Sequence, residues 1–323
     1  MPYLYYILLA IALFIVEILY IRLARRWKIG SHAVNRSSHS GYKLSGGGII
    51  FIIAALIVWA CPGFPASHYS LPDGFALMMG CALLLAVMSF VDDMRDLSPG
   101  LRLFVQLVTV ALAFHSYLVY SRLDIFLLIL ICGVGFINAY NFMDGINGIM
   151  AGYSIVTLVT LRICFEPLAE FRPFINSLII ASAVFAWFNF RHKALCFAGD
   201  VGSIVMGFFI LYLIVSLIAY TNDASVLVFL IVYAIDTVFT IFQRLFTGEN
   251  ILLPHRRHLY QVLANQRHFP HYVVSLWFCL TQAAINILYF IIPPTQRWTY
   301  FILVTSLLVA AYFSIKISAR KDG

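Results

Sequence analysis

Four short stretches of this chain carry side chains that could do chemistry. The segment "FVDDMRDLSPGLRLFVQ" (90–106) sets Asp92 beside Asp93, with Arg102 and Gln106 following, and "NAYNFMDGINGI" (138–149) holds Asn138, Asn141, Asp144 and Asn147. Further on come "CFAGDVGS" (196–203), with Asp200 between two glycines, and "PHRRHLYQ" (254–261), with His255, Arg256, Arg257 and His258. Adjacent carboxylates repel, so both stay ionised only beside a cation; otherwise one holds its proton more tightly and becomes a usable base. As mere markers of a helix end they would lie at the wrong pole of the helix dipole. Asn and Asp oxygens suit a hard cation such as Mg²⁺, which keeps several waters and bridges to substrate phosphates. Arginine forks and imidazoles are natural ligands of a diphosphate.

The spacing 141, 144, 147 would line one face of a helix, yet Gly145 and Gly148 would let the backbone break or approach a ligand closely. Asp200 stands just ahead of an apolar run, where a helix N-terminus favours an anion such as phosphate. Each signal also has a plainer reading: a solvated helix end, a polar stripe between helices, an N-capped turn, or the usual basic decoration of a cytoplasmic loop. For Arg257 and Arg267 the plainer reading weighs as much as the functional one. The loop "NRSSHSGYKLSGGG" (35–48) adds His39, Lys43 and the run Gly46–Gly48, to which residue chemistry alone assigns no role.

Most of the chain is built to hold these stretches in a membrane. Of 323 residues, 62% are hydrophobic and 11% charged, and the mean hydropathy is +0.92, far from a soluble globular composition. A helix needs about 20 apolar residues to cross a hydrocarbon core. Runs of that kind recur near 3–23, 47–65, 74–91, 103–120, 124–140, 149–167, 175–190, 202–219, 226–243, 272–292 and 298–315. The expected fold is therefore an all-α integral membrane protein of ten or eleven transmembrane helices, one domain over residues 1–323. The first run ends in "IRLARRWKIG" and reads as a retained span, not a cleaved signal. Six scattered cysteines without a CxxC argue against a disulfide framework or a zinc site.

Seventeen of the 21 lysines and arginines fall in one set of alternate loops, which the positive-inside rule makes cytoplasmic; the N-terminus is then outside and the C-terminus inside. On that map Asp92, Asp93, Asp96, Asp144, Asp200, Asp236 and Glu249 gather at the cytoplasmic face with His39, His192, His255 and His258. Ionisable groups at a membrane boundary tend to be paired, metal-bound or lining a wet cavity. The net charge of +7 reads as topology and attraction to anionic lipid, not as a nucleic-acid footprint. Residue chemistry alone points to a Mg²⁺-dependent enzyme acting on a phosphate-rich soluble substrate at the cytoplasmic membrane surface.

The order and spacing of these motifs over residues 35–261 resemble the polyprenyl-phosphate N-acetylhexosamine-1-phosphate transferases, glycosyltransferase family 4, which also holds the phospho-MurNAc-pentapeptide transferase. The resemblance implies transfer of an N-acetylhexosamine 1-phosphate from a UDP-sugar to undecaprenyl phosphate, with release of UMP, at a bacterial inner membrane. It implies that Asn141 and Asp200 bind Mg²⁺, with Mn²⁺ as the alternative, and that Asp92 and Asp93 supply the base. Arg102 would contact phosphate, and Asn138, Asp144 and Asn147 would lie in the substrate site, Asn147 by the uridine. His255, Arg256 and His258 would close over the diphosphate and sugar. Asn147 stands where many relatives have Asp, and Leu44 and Ser45 where they have Pro-Arg. "HRRHLYQ" is closer to the branch that initiates surface polysaccharide (O-antigen or capsule type) than to the peptidoglycan branch. The alternatives are the muramyl-pentapeptide reaction and, from another class, an ion-coupled secondary transporter. UDP-sugar, undecaprenyl phosphate and membrane lipid are the expected partners, and a homodimer is compatible with the sequence.

Overall fold

The computed structural model describes residues 2–32, 42–61, 74–116, 123–166, 169–250 and 255–321. Eleven helices of twelve residues or more occur among them. They are α1 (Pro2–Trp27), α2 (Ile49–Ala60), α3 (Phe75–Arg95), α4 (Pro99–Ala113), α5 (Leu123–Phe142), α6 (Ile149–Cys164), α7 (Arg172–Asn189), α8 (Gly199–Thr221), α9 (Ile231–Phe246), α10 (His271–Ile291) and α11 (Arg297–Lys321). Each falls on one of the eleven apolar runs. The protein is an all-α integral membrane protein; its one ladder among the described residues, β1 (Gly30–His32) antiparallel to β2 (Tyr42–Leu44), is three residues long.

Among the described residues seven segments are long and apolar enough to cross a bilayer: α1, α3, α5, α8, the unit Ala224–Phe246 that contains α9, α10, and α11 with its lead-in. The apolar helices α2, α4 and α6 run only 12, 15 and 16 residues, short of the full spans expected at 47–65, 103–120 and 149–167. Local chemistry trims them. The Ser98 hydroxyl accepts from Leu101 N–H and Pro99 opens the first turn, so α4 starts at residue 99. Gly148, at φ +86°, marks the start of α6.

α8 is the axis of the bundle. It is apolar all round and buried along most of its length, as a helix enclosed by others must be. It packs against α3 and α5 along its sides and against α2 and α6. α1 and α11 lie at the periphery and present Leu4, Ile7, Ile11, Ile15, Ile302 and Leu307 outward, the surface that lipid covers. At the α8 N-terminus the backbones of Gly48 and Gly202 meet so closely that a Cβ on Gly48 would overlap the Cα of Gly202. Gly47 and Gly48 donate to the carbonyls of Phe197 and Ala198 at 2.9 and 3.0 Å, and Phe197 N–H donates to Leu44 O at 2.9 Å. The glycine run thus lets the 44–48 loop lie flat on the entrance to α8.

Candidate active site

Asp92 and Asp93 end α3, and the structure gives them different surroundings. Asp92 Oδ1 accepts from Leu97 N–H at 2.7 Å, and its Oδ2 receives Arg102 Nη1 at 2.9 Å. Asp93 reaches the other way, to the first amides of α8: Oδ1 accepts from Asp200 N–H at 3.1 Å and Oδ2 from Val201 N–H at 3.3 Å. The Ser45 hydroxyl adds a longer bond to Asp93 Oδ1 at 3.4 Å. A carboxylate therefore already occupies the helix terminus that the sequence suggested for a phosphate. The same contact explains an acid at a helix C-terminus, because Asp93 faces the favourable pole of a neighbouring helix.

Asp200 sits in the first turn of α8, 6% exposed, with Arg102 Nη1 3.8 Å from its Oδ2. One guanidinium from α4 thereby bridges the carboxylates of α3 and α8. One turn along α8, Ser203 donates its hydroxyl to Asn141 Oδ1 at 3.1 Å, which ties the end of α5 to the same corner.

The 138–149 stretch is a break between helices, not one polar face. α5 stops at Phe142, Asp144 N–H donates to Asn141 O at 3.2 Å, and residues 144–148 form a loop. Asn147 is 2% exposed and its Nδ2 donates to the carbonyls of Arg191 and His192 at 2.8 and 3.1 Å, a bond set that stitches two loops. Asn138 pairs with buried Gln106 through Nδ2 to Oε1 at 2.6 Å, which joins α5 to α4. These two amides link the elements around the corner, and Asn147 Oδ1 is left buried without a hydrogen-bond partner among the described residues. Asn141, Asp92, Asp93, Asp200 and Arg102 make the corner itself.

The basic loop docks on the end of α5. Tyr260 donates to Phe142 O at 2.8 Å, and a Cβ on Gly145 would collide with its phenol, so glycine there leaves room for the ring. His255 and His258 each sit with ring centroids 6.4 Å from Phe142, the neighbour of Asn141. Burial first, then the field of His258 and Arg244, hold the His255 imidazole well below its ordinary range, at about 3. Arg256 is exposed, whereas Arg257 forms an ion pair with Glu249, which also pairs with buried Arg244 at 3.3 Å. His39 lies outside the described residues. Lys43 pairs with Ser31 in the ladder, and its side chain is outside the description.

Sequence reasoning counted Asp236 among the acids of this face without giving it a task, assigned none to Ser45, and passed over Glu17. Asp236, in α9 and 1% exposed, accepts from Leu259 N–H at 2.7 Å and Tyr260 N–H at 3.3 Å, so it caps the helical turn that follows His258. Ser45 and the Gly48–Gly202 contact set Asp93 and α8 together. Glu17 is fully buried in α1 against the Cys196 thiol at 3.0 Å. Motif spacing could not have found these links, since they join positions from 23 to 179 residues apart.

The donors at the corner are oxygens: Asp200, the Asn141 amide carbonyl with a lone pair left after Ser203, and the neighbouring acids. Among the described residues no group of three or more His, Cys, Asp or Glu forms a metal cage. Two protein oxygens with the remainder supplied by substrate and water is the pattern of Mg²⁺, not of zinc or calcium. The residues therefore fit a hard divalent cation.

A helical membrane bundle with an acid-and-arginine corner at one end of its central helix is the class that fold and site define. Residues 75–218, under half of the chain, match the family described as Glycosyl transferase family 4. The chain is similar to the phospho-N-acetylmuramoyl-pentapeptide-transferase of Dictyoglomus thermophilum, 28% identical over 59% of this chain and 66% of that protein. It is also similar to the undecaprenyl-phosphate alpha-N-acetylglucosaminyl 1-phosphate transferase of Yersinia pestis, 24% identical over 78% of this chain and 75% of that protein. These are likenesses over part of the chain, which spans just under two thirds of the length of the first of these relatives.

Proposed function

We propose that this corner transfers an N-acetylhexosamine 1-phosphate from a UDP-sugar to undecaprenyl phosphate. A phosphate oxygen of the lipid attacks the sugar-bearing phosphorus, the bond between the two phosphates of the donor breaks, and UMP leaves. The observation that carries the reading is Arg102 held between Asp92 and Asp200: a cation and two acids on three helices, at one end of an apolar central helix. Positioning and charge neutralisation are what phosphoryl transfer requires.

In this reading Arg102 turns from Asp92 to the lipid phosphate, which leaves Asp92 Oδ2 free to take the phosphate proton. Asp93 keeps α8 in register by holding the Asp200 and Val201 amides of its first turn. Asn141 and Asp200 would hold Mg²⁺, which when bound neutralises the donor diphosphate. Arg256, exposed on its loop, is placed for the donor phosphates, and neutral His255 offers a hydrogen bond in place of a charge. A site facing the cytoplasm, where UDP-sugars are made, suits the asymmetry of basic residues, and a bacterial inner membrane suits the undecaprenyl acceptor.

The surface-polysaccharide branch is favoured by "HRRHLYQ", and a small N-acetylhexosamine donor follows from it, with the muramyl pentapeptide as the second reading. An ion-coupled transporter finds little support, because the acids converge on one end of the bundle. The deciding experiment is UMP release by detergent-purified protein from a panel of UDP-sugars, with and without undecaprenyl phosphate and Mg²⁺. Release that needs both lipid and metal is expected. Release from no donor by folded protein would overturn the reading.

A further inference from the structure

The C-terminal helix α11 holds a buried cation that the reaction above does not use. Lys316 is 8% exposed, and its Nζ donates to Gln243 Oε1 at 3.0 Å, to Thr240 Oγ1 at 3.3 Å and to the Tyr312 hydroxyl. Tyr312 and Thr240 lie 2.9 Å apart, oxygen to oxygen, and Thr240 Oγ1 donates to Asp236 Oδ1 at 3.3 Å. An ammonium can only donate. A carboxylate can only accept, so Thr240 gives its single hydrogen to Asp236 and must accept from Tyr312, which in turn accepts from Lys316. Every donor in this chain of bonds points toward the carboxylate, and bonds aligned this way strengthen one another.

Asp236 is also the anchor of the basic loop. Its two oxygens cap Leu259 and Tyr260, and Oδ1 stands 3.4 Å from His258 Nδ1. His258 N–H is held in turn by Gln261 Oε1 at 3.1 Å. A second tie runs in parallel, from Arg267 Nη2 to Ser318 Oγ at 2.6 Å. We infer that Lys316 and Tyr312 are positioning residues, which set the His255–His258 loop over the site from the last helix through Thr240 and Asp236. A helix remote from the acids in sequence and peripheral in the bundle thereby becomes part of the site's geometry.

The inference rests on the proposed transfer reaction for its effect on turnover, and hydrogen exchange tests it independently. Thr240→Val removes the hydroxyl at nearly constant volume, Thr240→Ser keeps it, and Tyr312→Phe removes only the phenol oxygen. In the full-length protein in detergent, Thr240→Val and Tyr312→Phe are expected to speed amide exchange at Leu259 and Tyr260 by about tenfold, with the α8 amides unchanged and Thr240→Ser close to the unaltered protein. Where the unaltered protein releases UMP, kcat should fall by about tenfold in Thr240→Val while KM for the lipid phosphate holds. Unchanged exchange at 259–260 in both variants would overturn the inference, and so would acceleration spread evenly over the bundle. An unaltered protein that releases no UMP would remove the proposed reaction and leave the exchange result to decide the loop.

Discussion

Two of the polar networks among the described residues are finished to different degrees. Around Gln282 in α10 every capacity of the amide is filled. Its Nε2 donates to Val228 O at 2.9 Å and Asn286 Oδ1 at 2.7 Å, and its Oε1 accepts from Tyr153 at 2.6 Å and Val232 N–H at 3.1 Å. Asn286 passes a bond on to Thr160 at 2.8 Å. The network stitches α6, α9 and α10 where the helical unit 224–246 changes from a 3₁₀ to an α turn at Ile231, and it has nothing left to offer a ligand. At the acid corner and its loop, Arg102 is about one third exposed and shared between two carboxylates, Arg256 has no protein partner among the described residues, and buried His258 has only Asp236 Oδ1, 3.4 Å from its Nδ1, and no hydrogen-bond partner at Nε2. Native interiors seldom leave polar groups in that state without a use for them. The first network is finished as scaffold, and the second keeps the unfilled capacity that the proposed site requires.

The largest effect that would test this contrast is at Asp200. Asp200→Asn keeps the shape of the side chain and removes the charge, and metal-dependent UMP release should fall by about a thousandfold while the protein keeps its melting temperature within a few degrees. Turnover near that of the unaltered protein would dissolve the distinction. Gln282→Leu should do the opposite. It removes the acceptor of the Tyr153 hydroxyl hydrogen and of the Val232 N–H, which should lower stability by about 2 kcal/mol, read as a lower midpoint in thermal unfolding. Its turnover per folded molecule should be unchanged, and a selective loss of kcat would move Gln282 into the site.

Within the basic loop the comparison sharpens to two neighbouring arginines. Arg256→Ala should raise KM for the UDP-sugar by about tenfold, since a charged group on a phosphate contributes on the order of 1–2 kcal/mol. Arg257 is engaged by Glu249, so Arg257→Ala should cost about threefold or less. A reversed order would mean that the Glu249 pair opens when donor binds.

The parts of this contrast that could be read from sequence are those written locally. Eleven apolar runs became eleven helices because burial of an apolar stretch in lipid depends on composition alone. Asp92, Asp93, Asn141 and Asp200 converge as expected because each stands at a span end on the same side of the bundle. Asn138 and Asn147 look equivalent to Asn141 in the sequence, yet the fold engages them with Gln106 and with the carbonyls of 191–192. Such a choice depends on which helix lies opposite, and spacing within a motif is silent on that. The glycine run at 46–48 was unreadable for the same reason: its partner is Gly202, more than 150 residues away. Asp236 carried the signal of an acid inside an apolar helix, and only its contact with the 259–261 turn gives it a task.

The smallest predicted effect concerns His255, and its sign follows from the burial that separates it from an ordinary surface imidazole. In the folded protein it titrates at about 3, while in an unfolded chain histidine titrates near 6.5, at about the model-peptide value. As pH falls through the unfolded value, the unfolded chain takes up this proton first. The contribution of His255 to stability is therefore complete above about pH 6.5 and shrinks steadily between there and about pH 3. His255→Gln cannot take up the proton in either state. Between pH 7 and pH 5 its melting temperature should decline less than that of the unaltered protein, by a margin kept small by the partial exposure of the ring. Equal slopes would mean that the imidazole is hydrated and charged in the folded protein, and a cation at 255 would then join Arg256 on the phosphates. An added polyanion such as pyrophosphate separates the two cases further. It should flatten the slope of the unaltered protein by stabilising a protonated ring, and it should leave the slope of His255→Gln where it was.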